Sequence, residues 1–384
     1  MKIGFDFRMG GSINAGIGRY SLELLVAMLK QNSGNVFVVF YNEHNSNPKD
    51  INTLKSLGAT LVPANYRHYS FAEQLFFPKL LNSYNLDIVH FPNFNIPIRY
   101  KKPFVVTIHD MVHHKISGHK KSRLWKYYAY QYIIKKAAHN SLKIISVTET
   151  AKKEIIDYLG VEPEKVIVTY EAPAVNDAKP VDVLKIKEKY LLSRPYFLFV
   201  GTLERKKNLP MLVKAFDLFL TKYKFDMDLV IAGKTDRHYP EVRDQILNSS
   251  HNNRLVLTGF VEDNEQVALY QGAYAFVTAS LHEGFGLPGL EAMSYGIPVL
   301  ASNTPVFNEV YDNGAIYFDP LDPEDIAKQM NLLASDVQFH AQMQKKSIAR
   351  AGLFDWAITA KQTLALYQSN GSQVKEFEPE DDDE

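Results

Sequence analysis

Two glutamates eight positions apart, Glu283 and Glu291, bracket a glycine-containing turn that leads into a predicted helix. The apolar run 275–280 before the turn is typical of a buried strand, and Pro288 suits the first turn of a helix. Glycines permit positive φ and let a ligand approach backbone N–H groups at the positive end of the helix dipole. Glu283 can then accept hydrogen bonds from a sugar and Glu291 from a ribose. The alternative is an ordinary strand–loop–helix corner with two solvated glutamates.

A second glycine turn follows the predicted strand 196–200 and carries three consecutive cations, Arg205, Lys206 and Lys207, before a predicted helix. Cleavage of a sugar–phosphate bond places negative charge on the leaving phosphate. Fixed cations and helix N–H groups stabilise that charge best where water is scarce. The turn therefore predicts a diphosphate site, and a solvated basic loop is the alternative.

Two loops in the first half also follow predicted strands. Loop 10–20 is rich in glycine, although glycine spacing alone is weak evidence for phosphate binding. Strand 103–108 ends in His109 and Asp110. A histidine there can donate to a sugar hydroxyl or steer an acceptor, while a carboxylate holds its tautomer. The alternative for His109 is a buried structural histidine, and neither residue is an obvious nucleophile.

The elements that position these loops recur twice along the chain, as short apolar runs alternating with longer helical patterns. The predicted strands cover 2–7, 36–41, 60–62, 87–91, 103–108, 144–147, 166–168, 196–200, 228–232, 255–257, 274–278, 298–301 and 316–318. The predicted helices include 17–29, 71–81, 124–138, 209–222, 264–271 and 324–333. We predict an α/β fold with two Rossmann-like domains, separated near the polar stretch 171–194, with parallel sheets facing across a cleft.

Composition and charge narrow the class of protein. A chain of 384 residues with 46% hydrophobic content can bury more than one core, which favours two domains. The 43 basic residues equal the 43 acidic residues, which argues against a surface devoted to nucleic acid. The absence of cysteine excludes disulfides and thiolate metal sites. Because Asp6 and Arg8 interrupt the N-terminal apolar run and no run reaches about 18 apolar residues, we expect a cytoplasmic protein.

One segment of the first half is both basic and aromatic. Between Met111 and Thr148 there is no acidic residue, and lysines are interleaved with tyrosines. Such a segment suits an anionic membrane surface or a lipid-diphosphate acceptor, since each basic residue near anionic lipid contributes about 1 kcal/mol. We therefore expect peripheral contact with the inner face of the membrane through residues 115–136. The alternative is an amphipathic helix whose lysines extend over inward-packed tyrosines; nucleic acid is not expected, because no recognition motif is present.

The segment 281–293 resembles the E-x7-E signature of retaining GT-B glycosyltransferases of family 4, also called glycosyltransferase group 1. The resemblance runs from Thr258-Gly259-Phe260-Val261 to Gly296-Ile297-Pro298-Val299-Leu300-Ala301-Ser302-Asn303. It implies an acceptor-binding domain over 1–175, a nucleotide-sugar-binding domain over 176–352, and a helix within 353–370 that crosses back to the first domain. The acidic residues 371–384 are expected to be disordered.

The resemblance also implies roles for single residues. Loop 10–20 lies near the donor diphosphate and the acceptor in this family, and its Gly-Ile-Gly-Arg-Tyr ending resembles GDP-mannose-dependent mannosyltransferases. His109 matches a histidine that faces the donor sugar. Family members usually carry an Arg-Lys pair where this chain has Lys206 and Lys207. Because lysine cannot bind phosphate bidentately, the question is whether Arg205 substitutes for the lost guanidinium.

The predicted site combines both lines of reasoning. The predicted catalytic residues are His109, Asp110, Lys206, Lys207 and Glu283. The predicted nucleotide-sugar-binding residues are Gly16, Gly18, Arg19, Gly201, Thr202, Arg205, Lys206, Lys207, Glu283, Gly284, Phe285, Gly286, Leu287 and Glu291. Arg19 can contact phosphate or merely pair with a surface carboxylate. No metal is predicted, because no acidic D-x-D pair accompanies His113 and His114, and the nucleotide sugar is a co-substrate rather than a cofactor.

The expected function is transfer of a hexosyl group, mannosyl from GDP-mannose, to a glycan or lipid-linked glycan in polysaccharide or cell-envelope biosynthesis. The resemblance implies retention of configuration by same-face attack within an ion-pair-like transition state. Two alternatives stay open. One is a nucleotide-sugar epimerase of the same fold, and the other is a non-catalytic nucleotide-sugar-binding subunit, which only the departure at Lys206 favours.

Overall fold

The computed structural model describes residues 1–11, 15–31, 33–111, 124–174, 182–234, 239 and 241–369. The chain forms two compact units. The first comprises Met1–Glu171 with the segment that begins at Asp355, and the second comprises Ala172–Phe354. The expected disordered tail, 371–384, lies outside the described residues.

A parallel sheet lies at the centre of the first unit. Its strands are β1 (Lys2–Asp6), β2 (Val36–Tyr41), β3 (Thr60–Pro63), β4 (Ile88–Phe91), β5 (Phe104–Ile108), β6 (Lys143–Ser146) and β7 (Val166–Val168). They are arranged in the order β3-β2-β1-β4-β5-β6-β7. The helices of this unit are α1 (Ala15–Lys30), α2 (Pro48–Ser56), α3 (Phe71–Asn82), α4 (Leu124–Asn140), α5 (Glu149–Leu159) and, at the end of the described chain, α14 (Trp356–Ser369). β4 and β5 are buried along their whole length, as expected for a parallel sheet covered on both faces.

The second unit repeats this plan. Its strands are β8 (Tyr196–Val200), β9 (Asp228–Ala232), β10 (Leu255–Gly259), β11 (Ala275–Thr278), β12 (Val299–Ser302) and β13 (Ala315–Phe318), in the parallel order β10-β9-β8-β11-β12-β13. Its helices are α6 (Val183–Lys189), α7 (Leu209–Tyr223), α8 (Glu241–Leu247), α9 (Asp263–Gly272), α10 (Leu287–Ser294), α11 (Pro305–Tyr311), α12 (Pro323–Ser335) and α13 (Val337–Ala351).

Both sheets have the strand order of a Rossmann fold, in which the order reverses beside the first strand. In the first sheet the reversal lies between β1 and β4, and in the second it lies between β8 and β11. Connections leave these two strands in opposite directions, so a crevice opens outside their carboxyl ends. The predicted α/β class with two Rossmann-like parallel sheets is confirmed.

Polar side chains fix the ends of several helices. Ser70 caps the start of α3, where its hydroxyl accepts from the backbone N–H of Glu73 at 3.1 Å. The hydroxyl of Thr148 likewise accepts from the N–H of Ala151 at 3.0 Å and begins α5. α5 ends at Leu159 and is capped by Gly160, whose φ of +64° is readily adopted only by a residue without a Cβ.

The predicted strands agree with the observed strands to within two residues at every end. The predicted helices are incomplete, since α2, α5, α6, α8, α11 and α13 were not among them. α13 is mostly polar, and only three of its residues, Met343, Ser347 and Ala351, are buried, so its apolar stripe is narrow. The last helix begins at Trp356, after Asp355 accepts from the N–H of Ala357 at 2.8 Å. Among the described helices, none combines the length and apolar character needed to cross a bilayer.

Candidate active site

The two predicted donor-binding loops of the second unit lie side by side at the strand reversal. Loop 201–208 follows β8 and loop 279–286 follows β11, the strand that pairs with β8. The backbone N–H of Leu281 donates to the carbonyl of Lys206 at 2.8 Å. The cationic turn and the glutamate turn, far apart in sequence, therefore form one site.

Close backbone packing shapes the cationic turn. The N–H of Gly201 donates to the carbonyl of Ala232 at 2.9 Å. A Cβ on Gly233 would lie 1.8 Å from the carbonyl oxygen of Gly201, so only glycine fits there. Asn208 has a φ of +53°, and its amide donates to the Pro320 carbonyl at 2.8 Å just before α7 begins. Gly233 and Asn208 were not predicted, although a glycine directly after a strand is a signal that the sequence contains.

An ion pair joins the two turns. The ammonium of Lys207 donates to Oε1 of Glu283 at 2.6 Å, and their side chains are only 14% and 12% exposed. Burial by itself raises the pKa of Glu283. The charges of Lys207 and Lys206 and the hydrogen bonds from Lys207 and Ser280 outweigh burial and lower that pKa. Glu283 is therefore an ionised hydrogen-bond acceptor at neutral pH rather than a proton donor.

The glycines of the glutamate turn are required by packing inside the protein. Gly286 has a φ of +98° and precedes α10. The Tyr311 hydroxyl donates to the Gly286 carbonyl at 2.5 Å. A Cβ on Gly289 would lie 2.3 Å from the same hydroxyl oxygen, so α10 sits directly on the phenol. The turn thus holds its shape before any ligand contributes.

A pocket opens where the ion pair meets the N-terminus of α10. It contains about 210 Å³ of empty space, and its lining includes Lys207, Glu283, Gly286 and Tyr311. This volume includes space that is open to solvent. The combination of a cation, a carboxylate and a helix N-terminus suits the sugar–phosphate part of a nucleotide sugar.

Glu291 is more enclosed than its predicted role suggests. The residue is 4% exposed, and its Oε2 accepts from the amide of Gln266 and the hydroxyl of Tyr270, each at 3.1 Å. A ribose hydroxyl that binds Oε2 would compete with these two donors from α9. No motif in the sequence pairs Gln266 and Tyr270 with Glu291, because these side chains meet only where the fold brings α9 beside Glu291.

The three consecutive cations are not equivalent. Lys206 and Lys207 both act on Glu283. Arg205 is 72% exposed and lies 3.8 Å from Glu241, itself 53% exposed. Arg205 thus contacts an exposed carboxylate, whereas the two lysines act on Glu283. Whether Arg205 replaces the arginine usual at position 206 stays an open question.

In the first unit, His109 follows β5 and is held at both ring nitrogens. Nε2 lies 3.0 Å from the carbonyl of Pro92, and Nδ1 lies 3.1 Å from Oε1 of Glu171. A carbonyl oxygen and a carboxylate oxygen both accept hydrogen bonds, so a proton on each ring nitrogen would satisfy both contacts. Burial by itself lowers the pKa of His109. The hydrogen bond and charge of Glu171, with smaller contributions from Pro92 and Asp110, outweigh burial and raise the pKa.

The contacts and the raised pKa both favour the imidazolium form of His109, paired with Glu171, a partner that the sequence did not reveal. Asp110, which follows it, is half-buried and adds a weaker charge interaction. A doubly protonated imidazole can stabilise negative charge or donate a hydrogen bond, but it cannot act as a base without first losing a proton.

The glycine-rich loop of the first unit is only partly described, because residues 12–14 lie outside the described residues. The N–H of Gly11 donates to the carbonyl of Gly18 at 3.0 Å, which closes the loop onto the first turn of α1. Gly16 is exposed there, and a Cβ on it would meet no described atom within 4 Å. Arg19 is half-buried in the next turn.

No group of three or more histidine, aspartate or glutamate side chains in the described ranges is arranged to hold a metal ion. His113 and His114 lie outside those ranges.

Two family models match the two units. Residues 182–350 match the model for glycosyl transferases group 1, and residues 15–172 match the model for glycosyltransferase family 4. The chain belongs to this glycosyltransferase family.

Relatives of this glycosyltransferase include two proteins of Escherichia coli. The O-antigen chain mannosyltransferase B is 28% identical over 375 residues, which cover 92% of this chain and 96% of the relative. The serotype-specific mannosyltransferase WbdA is 31% identical over 226 residues, covering 56% of this chain and 27% of WbdA. The chain thus matches about a quarter of WbdA. A solved structure of Anabaena HepE in complex with UDP and glucose has a TM-score of 0.74 at 17% identity, covering 96% of this chain and 100% of HepE, which supports the shared fold alone.

The remaining predicted residues of the glycosyltransferase site differ in exposure. Thr202 and Gly284 are half-buried in their turns. Phe285 and Leu287 are 4% and 8% exposed, and the Phe285 ring packs edge-on against Phe354 with centroids 5.8 Å apart. The side chains of Phe285 and Leu287 therefore pack within the second unit, and a ligand contact would fall to their backbone groups.

Proposed function

We propose that the protein is a retaining glycosyltransferase that transfers a mannosyl group from GDP-mannose to a hydroxyl of a glycan or lipid-linked glycan. The observation that supports this best is the buried ion pair between Lys207 and Glu283 beside the N-terminus of α10. It combines a fixed cation for a leaving phosphate with an ionised carboxylate for sugar hydroxyls.

The lysines would act on the leaving group. As the anomeric carbon–oxygen bond breaks, negative charge develops on the diphosphate, and Lys206, Lys207 and the first N–H groups of α10 can stabilise it. Because this stabilisation exists mainly in the transition state, it raises the rate rather than the affinity. No metal ion is part of the proposed mechanism.

Glu283 would hold the donor sugar. Its lowered pKa keeps it ionised, so it can accept hydrogen bonds from sugar hydroxyls and stabilise positive charge that develops on the ring. The diphosphate leaves while the acceptor hydroxyl approaches from the same face, and the configuration is retained. The acceptor proton passes to the departing phosphate oxygen, which gains basicity as the bond breaks. Glu283 is not assigned the role of proton donor.

The donor and the pathway are inferred from the relatives and from one motif. The Escherichia coli relatives are named mannosyltransferases, and two are named for O-antigen chains or serotype. The segment Gly16-Ile17-Gly18-Arg19-Tyr20 also resembles GDP-mannose-dependent enzymes. We therefore place the protein in polysaccharide or cell-envelope biosynthesis, with UDP-glucose as the competing donor to be tested, since HepE was solved with UDP and glucose.

We also propose peripheral contact with the cytoplasmic face of an anionic membrane. α4 exposes Tyr128 and Tyr132, at 66% and 53%, and Lys135 and Lys136 beside them are exposed. Tyrosine favours the interface, and each lysine contributes about 1 kcal/mol near anionic lipid. Residues 115–123 of the predicted contact lie outside the described residues. Cosedimentation with phosphatidylglycerol vesicles should weaken in Lys135→Glu/Lys136→Glu, while phosphatidylcholine vesicles should bind neither protein; equal binding of both proteins to anionic vesicles would count against the contact.

The deciding experiment measures product formation from a panel of GDP-, UDP-, ADP- and dTDP-sugars, with and without lipid-linked glycan acceptors. Glu283→Gln and Lys207→Met should each lower kcat by about 10²–10³-fold. Lys222→Met is the matched control, because Lys222 forms an exposed 3.6 Å ion pair with Glu324 in the same unit. A rearranged sugar released without acceptor would indicate an epimerase. Donor binding with no turnover under any condition would indicate a non-catalytic subunit, and either result would refute the proposal.

A further inference from the structure

The last described helix, α14, packs against α1 within the first unit and reaches the surroundings of His109 through three side chains. Trp356, Thr359 and Tyr367 are all buried. They lie on one helix but contact three different groups near His109: the Tyr20 ring, the Tyr170 carbonyl and the His90 ring.

Thr359 contacts the segment that carries the partner of His109. Its hydroxyl donates to the carbonyl of Tyr170 at 2.6 Å and lies 3.3 Å from the carbonyl of Asp355, which directly precedes α14. The shorter contact is the principal acceptor for its single proton. Tyr170 directly precedes Glu171, so α14 fixes the backbone from which the Glu171 carboxylate reaches Nδ1 of His109.

Trp356 supports a ring that rests on the imidazole. The Tyr20 ring meets His109 edge-on, with centroids 4.6 Å apart and planes at 90°. The Trp356 ring stands 5.9 Å from the Tyr20 ring at 62°. Tyr20 is fully buried and is thus confined between the helix and the histidine.

Tyr367 begins a buried hydrogen-bond chain that ends at the same Tyr20. Its hydroxyl lies 2.6 Å from Nδ1 of His90, Nε2 of His90 lies 2.8 Å from the Thr107 hydroxyl, and that hydroxyl lies 3.0 Å from the Tyr20 hydroxyl. Burial lowers the pKa of His90 to about 3, so this imidazole is neutral and donates at one nitrogen while it accepts at the other. Thr107 lies on β5, two residues before His109, so these hydrogen bonds also hold β5 in place.

We propose that α14 is a positioning element for transfer, which holds the Glu171 carboxylate and the Tyr20 ring against His109 and so sets the orientation and charge of its imidazole. This inference rests on the proposed function only where it assigns His109 a part in the reaction. Buried polar contacts suit such a role, because each has a fixed direction and is costly to leave unsatisfied.

Four other groups bear on the charge of His109. Glu171 and Asp110 favour the imidazolium, and the Pro92 carbonyl accepts from it. The neutral His90 lies near enough for the two imidazoles to disfavour being charged together. Weakening the hold of α14 on segment 170–171 should therefore reduce the largest favourable contribution, that of Glu171, and move the titration of His109 toward lower pH.

The test compares Thr359→Val with Thr363→Val. Thr363 lies on the same helix and is fully buried, but its hydroxyl donates at 2.8 Å to the carbonyl of Thr359 within the helix. In the full chain labelled with ¹⁵N-histidine, Thr359→Val should move the His109 titration to lower pH and lower kcat by about tenfold with little change in donor KM. Thr359→Ser should restore both, and Thr363→Val should change neither.

Two further variants keep the test decisive if Thr359→Val does not fold. Glu171→Gln should lower the His109 titration most, because it removes the charge directly, and Tyr367→Phe should lower kcat through the hydrogen-bond chain. An unchanged His109 titration and kcat in Thr359→Val, or in both Glu171→Gln and Tyr367→Phe, would overturn the proposal. If the titration moves as expected but the wild-type protein transfers no sugar, the proposed function fails while the hold of α14 on His109 stands.

Discussion

Replacing Lys207 with methionine tests the ion pair in the proposed donor site. Methionine keeps much of the aliphatic length but removes the charge and the 2.6 Å hydrogen bond to Glu283. In the wild-type protein the carboxylate is only 12% exposed, and in the variant the charge of Lys206 and the hydrogen bond from Ser280 would remain to favour its ionised form. Because burial by itself raises the pKa of Glu283, we expect that pKa to rise in the variant.

The size of the effect follows from this burial. Removing one partner of a buried ion pair costs about 3–5 kcal/mol, and the residual exposure together with Lys206 reduces the expected loss of unfolding free energy to about 2–3 kcal/mol at pH 7. In the unfolded chain the pKa of Glu283 is about 4.3. Because folding lowers this pKa, ionised Glu283 stabilises the wild-type fold at pH values above about 4.3. That stabilisation is lost as pH falls through the folded value, so the deficit of Lys207→Met should shrink toward acidic pH.

The assay is urea unfolding followed by circular dichroism at pH 7 and pH 4. Lys222→Met serves as the control, and because its pair with Glu324 is exposed we expect a change below about 0.5 kcal/mol at either pH. The double variant Lys207→Met/Glu283→Gln should recover most of the stability, since no uncompensated charge remains, but it should not recover transfer. Equal stabilities of Lys207→Met and Lys222→Met, or a loss that does not depend on pH, would refute the reasoning.

Three further results are expected. Gly289→Ala should lower the unfolding free energy by about 1–3 kcal/mol in thermal denaturation, because the new Cβ would collide with the Tyr311 phenol. This loss should exceed the gain from the better helix propensity of alanine. Gly352→Ala is the control, since its Cβ would make no close contact and should leave the stability unchanged. In NMR titrations His90 should stay neutral at pH 5. The pKa of His109 is raised in the folded protein, so its contribution to stability is complete below about pH 6.5 and is lost as the pH rises through the folded-state pKa. Arg205→Ala should change kcat/KM by less than about threefold, since the side chain is exposed; a loss as large as that of Lys207→Met would instead place its guanidinium on the diphosphate.

The fold was largely predictable because its signals are local. Short apolar runs between helical patterns predicted each strand that the structure describes, since a buried parallel strand is a short, nearly continuous apolar segment. Helices with narrow apolar stripes, such as α13, were not predicted, because few of their residues face a core. The glutamate and cationic turns were recognisable since each combines glycine, charge and a helix start within about ten residues.

The partners of the site residues were not predictable in the same way. Glu291 was expected to face a ribose, but Gln266 and Tyr270 bind its Oε2. Glu171 lies 62 positions from His109 and belongs to no motif, yet it is the carboxylate that pairs with the imidazole. Such contacts depend on how separate elements pack.

The sequence by itself determined the two α/β halves and the residue types able to hold a sugar and a diphosphate. Only the tertiary structure decided that Lys207 reaches Glu283, that His109 pairs with Glu171, and that the last helix supports this pair. The reason is the range of the forces involved. Backbone preferences and hydrophobic periodicity act over a few neighbouring residues, whereas charge, burial and hydrogen bonding act through space between residues that the fold brings together.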